Sequence, residues 1–307
     1  MREVIDFHKN GNYSVVLFSD GTMIRNCSFD KMIPEFPDSL DIKLTNKCSG
    51  TNCKWCHEHS GPDGKHGKIL DVPFLDSMPK GTQLALGGGN VLEHPDFLAF
   101  LDWCKEKQLI PSITLNQKHF MENLDLIRDL AEKKLIYGLG VSLTYPTQEF
   151  MNAIREFPNA VIHVIAGIVS KTELDTLKNQ NFKLLILGYK QFRRGKDFYT
   201  SSPDVQRRID NNINWIKSNI RDIIDGFKVV SFDNLAIRQL DMKNIIPEED
   251  WSSFYMGDDG HYTMYVDTVN EEFAVSSTST KRYKYSGETI KEMFKTVRSE
   301  VFADGKK

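Results

Sequence analysis

Three cysteines stand close together in the chain. Cys48, Cys53 and Cys56 fall within nine residues, with the spacing C-x4-C-x2-C. They follow residues 40–44, where apolar and polar residues alternate, a pattern that predicts a strand. An iron–sulfur cluster normally takes four thiolates, so a loop that supplies three leaves one iron open to another ligand. The chemistry that this loop indicates is therefore a metal centre with an open coordination position.

Other kinds of site are compatible with the same loop. The segment from Cys53 to His57 has the C-x-x-C-H pattern of c-type haem attachment, and its two cysteines also form a C-x-x-C redox pair. Haem attachment normally follows export, whereas residues 1–10 are charged and lack the apolar core of a signal peptide. Zinc is a further alternative, because His57, His59 or His66 can complete a site of three cysteines and one histidine. Three unrelated buried cysteines are the last alternative, which a polar loop disfavours.

The loop resembles that of the radical S-adenosylmethionine (SAM) superfamily, whose usual pattern is C-x3-C-x2-C with an aromatic residue before the last cysteine. Trp55 occupies the aromatic position, and the first spacing is one residue longer here. The second signature of the family is a Gly-Gly-Glu-type turn after the second strand, and Gly87, Gly88, Gly89 and Asn90 stand at that place. Gly89 replaces the family glutamate, so Asn90 or a backbone carbonyl is expected to hold the amino group of SAM.

The resemblance implies a fold, a cofactor and a reaction. It implies a partial (β/α) barrel and a 4Fe-4S cluster on the three cysteines, whose open iron chelates the amino and carboxylate groups of SAM. One electron, from a donor such as flavodoxin or ferredoxin, then cleaves SAM to methionine and a 5′-deoxyadenosyl radical that takes hydrogen from the substrate. In such barrels the site lies at the carboxyl ends of the strands. Similar family members contact the SAM ribose and carboxylate with polar residues at the third and fourth strand ends, which Asn116 and Ser142 match, and Gly167 resembles the family glycine near the adenine.

The alternation of elements agrees with an α/β fold. With 307 residues and 40% hydrophobic content the chain can bury a substantial core. Seven strand patterns from Leu40 to Phe232 alternate with helix patterns, which predicts a parallel sheet with right-handed crossovers. We expect an N-terminal β-hairpin extension over 1–38, the partial barrel over 39–235, and a C-terminal hairpin-plus-helix extension over 236–307 that caps the barrel, within one structural domain.

Several local patterns make narrower predictions. Asp-Gly at 20–21, between two strand-like runs, predicts a hairpin. Residues 121–134 and 203–224 each read as one continuous amphipathic helix. Residues 182–188 form a nearly continuous apolar strand, as expected where both faces of a sheet are covered. Away from the cluster, Cys27 and Cys104 are predicted to be small core residues.

A short basic segment follows the sixth predicted strand. It contains Lys190, Arg193, Arg194 and Lys196. At a strand end, the two arginines can bind a carboxylate or phosphate of SAM or of an anionic substrate in bidentate fashion; a solvated loop is the alternative.

Charge and hydropathy restrict the other partners. The formal net charge of -3 gives no basic signal for polymeric nucleic acid, and no apolar run approaches membrane-spanning length. Clustered cysteines without a secretory signal fit a reducing cytoplasm.

The resemblance therefore leads us to expect a cytoplasmic radical SAM enzyme acting on a small anionic or nucleotide-like substrate. A radical SAM enzyme that modifies a peptide is the alternative within the same class. Outside that class, the alternatives are a zinc-stabilised binding protein and a protein that binds SAM without cleaving it.

Overall fold

A small antiparallel sheet begins the chain. The computed structural model describes residues 3–51 and 53–304. The strands of the first sheet are β1 (Val4–Asn10), β2 (Tyr13–Phe18) and β3 (Met23–Cys27). β2 and β3 pair as the Asp-Gly signal predicts. The sequence reasoning missed β1, which pairs with β2 at the edge of the sheet and leaves Val4 and Phe7 exposed.

A second, larger sheet of ten strands contains the seven predicted strands in the predicted order. In chain order its strands are β4 (Ser39–Thr45), β5 (Gln83–Gly88), β6 (Ile110–Asn116), β7 (Gly138–Ser142), β8 (Ala160–Ile165), β9 (Lys183–Leu187), β10 (Val229–Phe232), β11 (Thr263–Asp267), β12 (Glu272–Ala274) and β13 (Tyr283–Lys284). Their spatial order is β10-β9-β8-β7-β6-β5-β4-β11-β12-β13. The pairs from β10 to β11 are parallel, and β12 and β13 are added antiparallel. The chain thus has a mixed α/β fold with a large parallel sheet.

Helices connect the parallel strands and pack against the sheet. They are α1 (Pro73–Asp76), α2 (Phe97–Glu106), α3 (Gln117–Glu122), α4 (Leu124–Glu132), α5 (Gln148–Arg155), α6 (Lys171–Leu177), α7 (Arg194–Tyr199), α8 (Pro203–Ser218), α9 (Ile220–Asp225), α10 (Asn234–Gln239), α11 (Met242–Ile245), α12 (Glu248–Phe254) and α13 (Ile290–Asp304), with a 3-10 turn at Val91–Glu93. None of the described helices has the length and apolar character that crossing a membrane requires.

Two helices predicted to be continuous are each broken at an asparagine. The segment at 121–134 divides into α3 and α4 at Asn123, and the segment at 203–224 divides into α8 and α9 at Asn219. In both, the asparagine amide donates to the carbonyl four residues earlier, at 2.8 Å to His119 and 2.7 Å to Trp215. Such a side chain competes with the backbone bonds of the helix, so the helix ends there although its apolar face continues.

The two faces of the parallel sheet differ in chemistry. One face carries Leu40, Ile42, Leu84 and Leu86, which are at most 1% exposed in the core beneath the helices. On the other face, the side chains of β5, β6, β8 and β9 are partly exposed. β9, predicted to be covered on both faces, is therefore buried on one face and only partly covered on the other. This second face, called the polar face below, is apolar at Leu185 and Leu187 of β9 but elsewhere carries small and polar residues: Asp41, Lys43, Ser112, Thr114, Asn116, Gly138, Gly140, Ser142 and His163.

The C-terminal hairpin and helix belong to the same core as the sheet. β11 lies parallel to β4, with Tyr265 opposite Asp41 in the register. Met264 and Phe273, together with Phe294 of α13, are buried in the cluster that contains the strands β4 to β9. Of the two isolated cysteines, Cys104 is a core residue as predicted. Cys27 is only partly buried, because it lies on the edge strand β3.

Candidate functional site

The cysteine loop follows β4 at its carboxyl end. Cys48, Cys53 and Cys56 are all partly exposed and none is in a disulfide. Burial raises the pKa of the Cys48 and Cys53 thiols, and electrostatic interaction with Cys56 raises it further. Within residues 3–51 and 53–304, no group of three or more His, Cys, Asp or Glu side chains is arranged to hold a metal ion. The donor set, three uncrosslinked thiols on one loop, nevertheless fits the protein ligands of a cluster with one open iron.

The glycine turn after β5 packs directly against this loop. Gly89 N–H donates to the Thr45 carbonyl at 2.6 Å, and a Cβ on Gly89 would lie 2.0 Å from the carbonyl oxygen of Lys47. Gly88 has φ +110°, which an L side chain rarely adopts. A glutamate at position 89 is therefore sterically excluded. Gly87 differs, because a Cβ there would meet no atom within 4 Å, so its face of the turn is open to a ligand.

Asn90 and Glu93 hold the cysteine loop from the glycine turn. The Glu93 carboxylate accepts hydrogen bonds from Ser49 N–H (2.8 Å), Ser49 Oγ (2.7 Å) and Asn90 Nδ2 (3.1 Å). Burial alone would raise the pKa of Glu93, but these hydrogen bonds have the larger effect, so the pKa lies below its usual value. His119 Nε2 donates to the Ser49 carbonyl at 2.7 Å. The Asn90 side chain is thus engaged with Glu93, and the residue next to Cys48 is fixed from two elements.

A buried ionic network holds the other end of the loop. Lys43 is 1% exposed, and its Nζ contacts Asp267 Oδ2 at 2.9 Å and Glu58 Oε2 at 3.1 Å. Tyr265 Oη donates to Glu58 Oε1 at 3.1 Å. Glu58 lies two residues after Cys56, so β4 and β11 together fix this end of the loop. The sequence reasoning did not identify Lys43 or Glu58, although a lysine inside a predicted core strand was a signal that it has a buried partner.

The neighbouring imidazole of His57 also belongs to this network. His57 Nε2 lies 3.3 Å from Glu58 Oε1. Burial lowers the pKa of His57, and the nearby Lys190 lowers it further. Burial raises the pKa of Glu58, but the hydrogen bond from His57 and the charge of Lys43 outweigh burial and hold it well below its usual range. The Glu58 carboxylate is therefore stabilised by His57 and Lys43 together.

The two predicted anion-binding arginines contact the cysteine loop. Arg193 Nη1 donates to the Glu58 carbonyl at 3.1 Å and lies 3.5 Å from Glu58 Oε2. Arg194 Nη2 donates to the carbonyl of Ser60. Trp55, in the same region, packs its ring 5.8 Å from that of Phe198. These side chains brace residues 55–60 against the segment after β9.

The candidates at the strand ends fall into two groups. Asn116 and Ser142 are opposite each other in the register, and Asn116 Nδ2 lies 4.0 Å from Cys53 Sγ. His163 is opposite Ser142, and burial lowers its pKa to about 4. Gly167, in contrast, is buried against α8, where a Cβ would lie 2.6 Å from Ile209. The first three residues therefore lie on the polar face, whereas Gly167 is close-packed.

The polar face is surrounded by protein but reached by solvent. The Asp41 side chain on β4 is accessible to solvent but is surrounded by protein atoms. The loss of surrounding water raises its pKa to about 6, and the positive charge of Lys190 opposes this rise. This combination describes a carboxylate within an open concavity.

A separate cavity of about 480 Å³ lies at the other end of the strands, lined by β1 residues with Lys80 and Tyr137. It is remote from the cysteines and belongs to the amino ends of the strands.

The remaining histidines of the loop have hydrogen bonds or exposure of their own. His66 Nδ1 lies 3.0 Å from Thr45 Oγ1, and its ring contacts that of His94 with centroids 5.0 Å apart. His59 is exposed and adopts φ +55°. His66 is thus engaged by neighbouring side chains and His59 is solvated.

Comparison with known proteins gives structural matches but no sequence match. No protein-family model matches the chain, and no curated protein does. A crystal structure of Streptococcus suis SuiB bound to the precursor peptide SuiA is 13% identical, with a TM-score of 0.58 over 97% of this chain and 91% of that chain. SuiB bound to S-adenosylmethionine is 13% identical, with a TM-score of 0.55 over 87% of this chain and 69% of that chain. SuiB alone is 12% identical, with a TM-score of 0.57 over 95% and 89%.

These matches extend beyond the segment that carried the sequence resemblance. The motifs support a resemblance over about residues 40–235, whereas the structural match with peptide-bound SuiB includes nearly the whole chain. Both the N-terminal sheet and the C-terminal hairpin and helix are therefore part of a shared architecture. At this level of identity the likeness shows the fold: the chain has an α/β fold similar to that of SuiB.

Proposed function

We propose that this protein is a radical SAM enzyme whose substrate is a peptide. The observation that carries the proposal is the juxtaposition of three uncrosslinked thiols with an open glycine turn, at the carboxyl ends of β4 and β5. The fold that presents them is similar to that of SuiB, which has been crystallised with S-adenosylmethionine and with a precursor peptide. Cys48, Cys53 and Cys56 would hold a 4Fe-4S cluster, which when bound supplies the electron that cleaves SAM.

The protein positions SAM through the ends of four strands in this proposal. Gly87 gives SAM access to the backbone of the turn, and a backbone carbonyl there accepts from its amino group. Asn116 and Ser142 contact its ribose and carboxylate from β6 and β7. Asn90 and the two arginines take another role, because their side chains already contact Glu93, Glu58 and Ser60: they hold the cysteine loop.

A peptide is favoured over a small anionic substrate by two observations. The arginines that suggested a small anion have partners within the protein. The neighbour of similar fold binds a precursor peptide, and the match with that complex includes 97% of this chain. Substrate binding over the polar face would exclude water from the radical step, which protects a reactive intermediate from side reactions.

The first experiment measures the cluster and the cleavage of SAM. The protein is purified anaerobically beside a Cys48/Cys53/Cys56→Ala variant, and iron, sulfide, zinc and 5′-deoxyadenosine are determined. We expect about four irons per chain and 5′-deoxyadenosine from the wild type under reductant, and neither from the variant. About one tightly held zinc with intact SAM would contradict the proposal and favour a structural zinc site.

The second experiment distinguishes the two substrate classes. The enzyme is incubated with SAM and either the peptide fraction or the small-molecule fraction of source cells grown on deuterated medium. Deuterium in 5′-deoxyadenosine reports hydrogen abstraction from the fraction that was added. We expect deuterium transfer from the peptide fraction. Transfer from the small-molecule fraction alone would contradict a peptide substrate and favour the small anionic substrate expected from the sequence.

A further inference from the structure

Two cations converge on one residue at the rim of the polar face. Lys190 follows β9, and its Nζ donates to Ser277 Oγ at 3.1 Å. Arg282 precedes β13 and donates through Nη2 to the Ser277 carbonyl and through Nε to the Ser279 carbonyl. Two positive charges from separate segments, one after β9 and one before β13, thus contact Ser277.

These cations lack the carboxylates that other buried cations of the chain possess. Among the described residues, neither Lys190 nor Arg282 has a carboxylate oxygen within 4.0 Å, whereas Lys43 has two. Arg282 Nη1 is buried without a hydrogen-bond acceptor in the described part of the chain. Its guanidinium lies 5.0 Å above the Tyr265 ring, so the side chain is held by a cation–π contact and by two carbonyls. A buried guanidinium N–H without a protein acceptor is unusual and indicates a position where a water or an anion accepts from it.

The location connects these cations with the candidate active site. Lys190 Nζ lies 3.4 Å from His57 Nε2, on the cysteine loop, and interacts electrostatically with Asp41 on the polar face. Tyr265, beneath Arg282, is opposite Asp41 in the register of β11 and β4. An anion bound between Lys190 and Arg282 would therefore lie at the mouth of the concavity that Asp41 occupies.

We propose that Lys190, Arg282 and the Ser277 hydroxyl form a subsite that binds a carboxylate of the peptide substrate. The planar guanidinium and the ammonium supply charge-assisted donors, and the Ser277 hydroxyl can donate its own hydrogen. The inference rests on the proposed function for its substrate class and adds which group of the peptide is held. The carboxylate belongs to an acidic side chain or to the chain terminus.

Matched probes test the subsite without cluster, SAM or turnover. The full-length protein is titrated with N-acetyl-glutamate amide and with its neutral isostere N-acetyl-glutamine amide, and binding is followed by ligand-observed NMR. A second pair, N-acetyl-alanine and N-acetyl-alanine amide, reports a chain-terminal carboxylate. The variants are Arg282→Gln and Lys190→Gln, and Arg207→Gln removes an exposed arginine of α8 as the control.

The expected result is preferential binding of one carboxylate probe over its neutral partner. Loss of one charge-assisted donor should weaken that binding about tenfold or more in each of the two variants and leave it unchanged in Arg207→Gln. Equal binding of charged and neutral probes, or unchanged binding in both variants, would overturn the inference. Using two variants keeps the test decisive if one of them fails to fold.

SAM itself also carries a carboxylate and is the competing occupant. The same variants are therefore titrated with SAM, and we expect its affinity to change by less than about twofold, well below the loss of one charge-assisted bond. A tenfold loss for SAM with unchanged probe binding would assign the cations to the cofactor and overturn the inference. Failure of the proposed function is separate, because 5′-deoxyadenosine formation without carboxylate-probe binding contradicts the subsite alone.

Discussion

Replacing Lys43 by methionine tests the ionic network under the cysteine loop. Methionine keeps the length and apolar stem of lysine and removes its charge. Lys43 is 1% exposed between Glu58 at 3.1 Å and Asp267 at 2.9 Å, so the substitution leaves two carboxylates without their buried cation. Breaking a buried pair by removing one partner costs about 3–5 kcal/mol.

The remaining contacts put the expected loss at the lower end of that range. Glu58 retains Tyr265 and Arg193, and Asp267 retains the Val269 and Asn270 N–H groups at 3.1 and 3.0 Å. We therefore expect the free energy of unfolding to fall by about 3 kcal/mol. The double variant Lys43→Met/Asp267→Asn, which also neutralises one orphaned carboxylate, should recover part of this loss.

Urea unfolding followed by tryptophan fluorescence at pH 7 measures these differences. The matched control is Lys133→Met, which removes an exposed i,i+4 pair with Asp129 and should leave stability unchanged. A loss below about 1 kcal/mol in Lys43→Met, the size of an ordinary substitution, would refute the reasoning. So would a double variant that is less stable than Lys43→Met.

Two further predictions concern the polar face and the glycine turn. Burial raises the pKa of Asp41 to about 6 in the folded state against roughly 3.9 unfolded, so the contribution of Asp41 to stability should fall as pH rises from about 4 to 6. Asp41→Asn should match wild type near pH 4 and exceed it at pH 7 in urea unfolding; parallel pH profiles would contradict this. Gly89→Ala should lose about 1–3 kcal/mol, because its Cβ meets the Lys47 carbonyl. Gly87→Ala should keep wild-type stability yet weaken SAM binding in calorimetry, and equal stability losses would contradict the assigned geometry.

The secondary structure was largely predictable because its signals are local. Period-two and 3.6-residue patterns located the seven strands from β4 to β10 in their order. The same patterns could not reveal the breaks at Asn123 and Asn219, where apolar spacing continues through a side chain that interrupts the helix. β1 escaped prediction because, as an edge strand, it leaves Val4 and Phe7 exposed and buries little.

The candidate site was predictable only where its residues are adjacent in sequence. The spacing of the three cysteines is such a local signal. The groups that fix their loop are distant: Glu93 is 44 residues from Ser49, His119 is 70 residues from it, and Tyr265 is 207 residues from Glu58. Composition and spacing carry no information about such pairs, since these contacts form only when the sheet assembles.

The position of β11 makes the C-terminal extension part of the large sheet. The sequence suggested a cap over a partial barrel, but β11 lies in the sheet directly beside β4, the strand that leads into the cysteine loop. Tyr265 and Asp267 of β11 contact Glu58 and Lys43, so two of the charges that anchor the loop depend on the last third of the chain. Lys43 and Glu58 pair with each other, and β11 adds Asp267 and Tyr265 as further partners, so the buried network is complete only after β11 has docked. The cysteine loop is therefore held by contacts between β4, the first strand of this sheet in the chain, and β11, one of its last. Formation of the site is in this way coupled to completion of the fold.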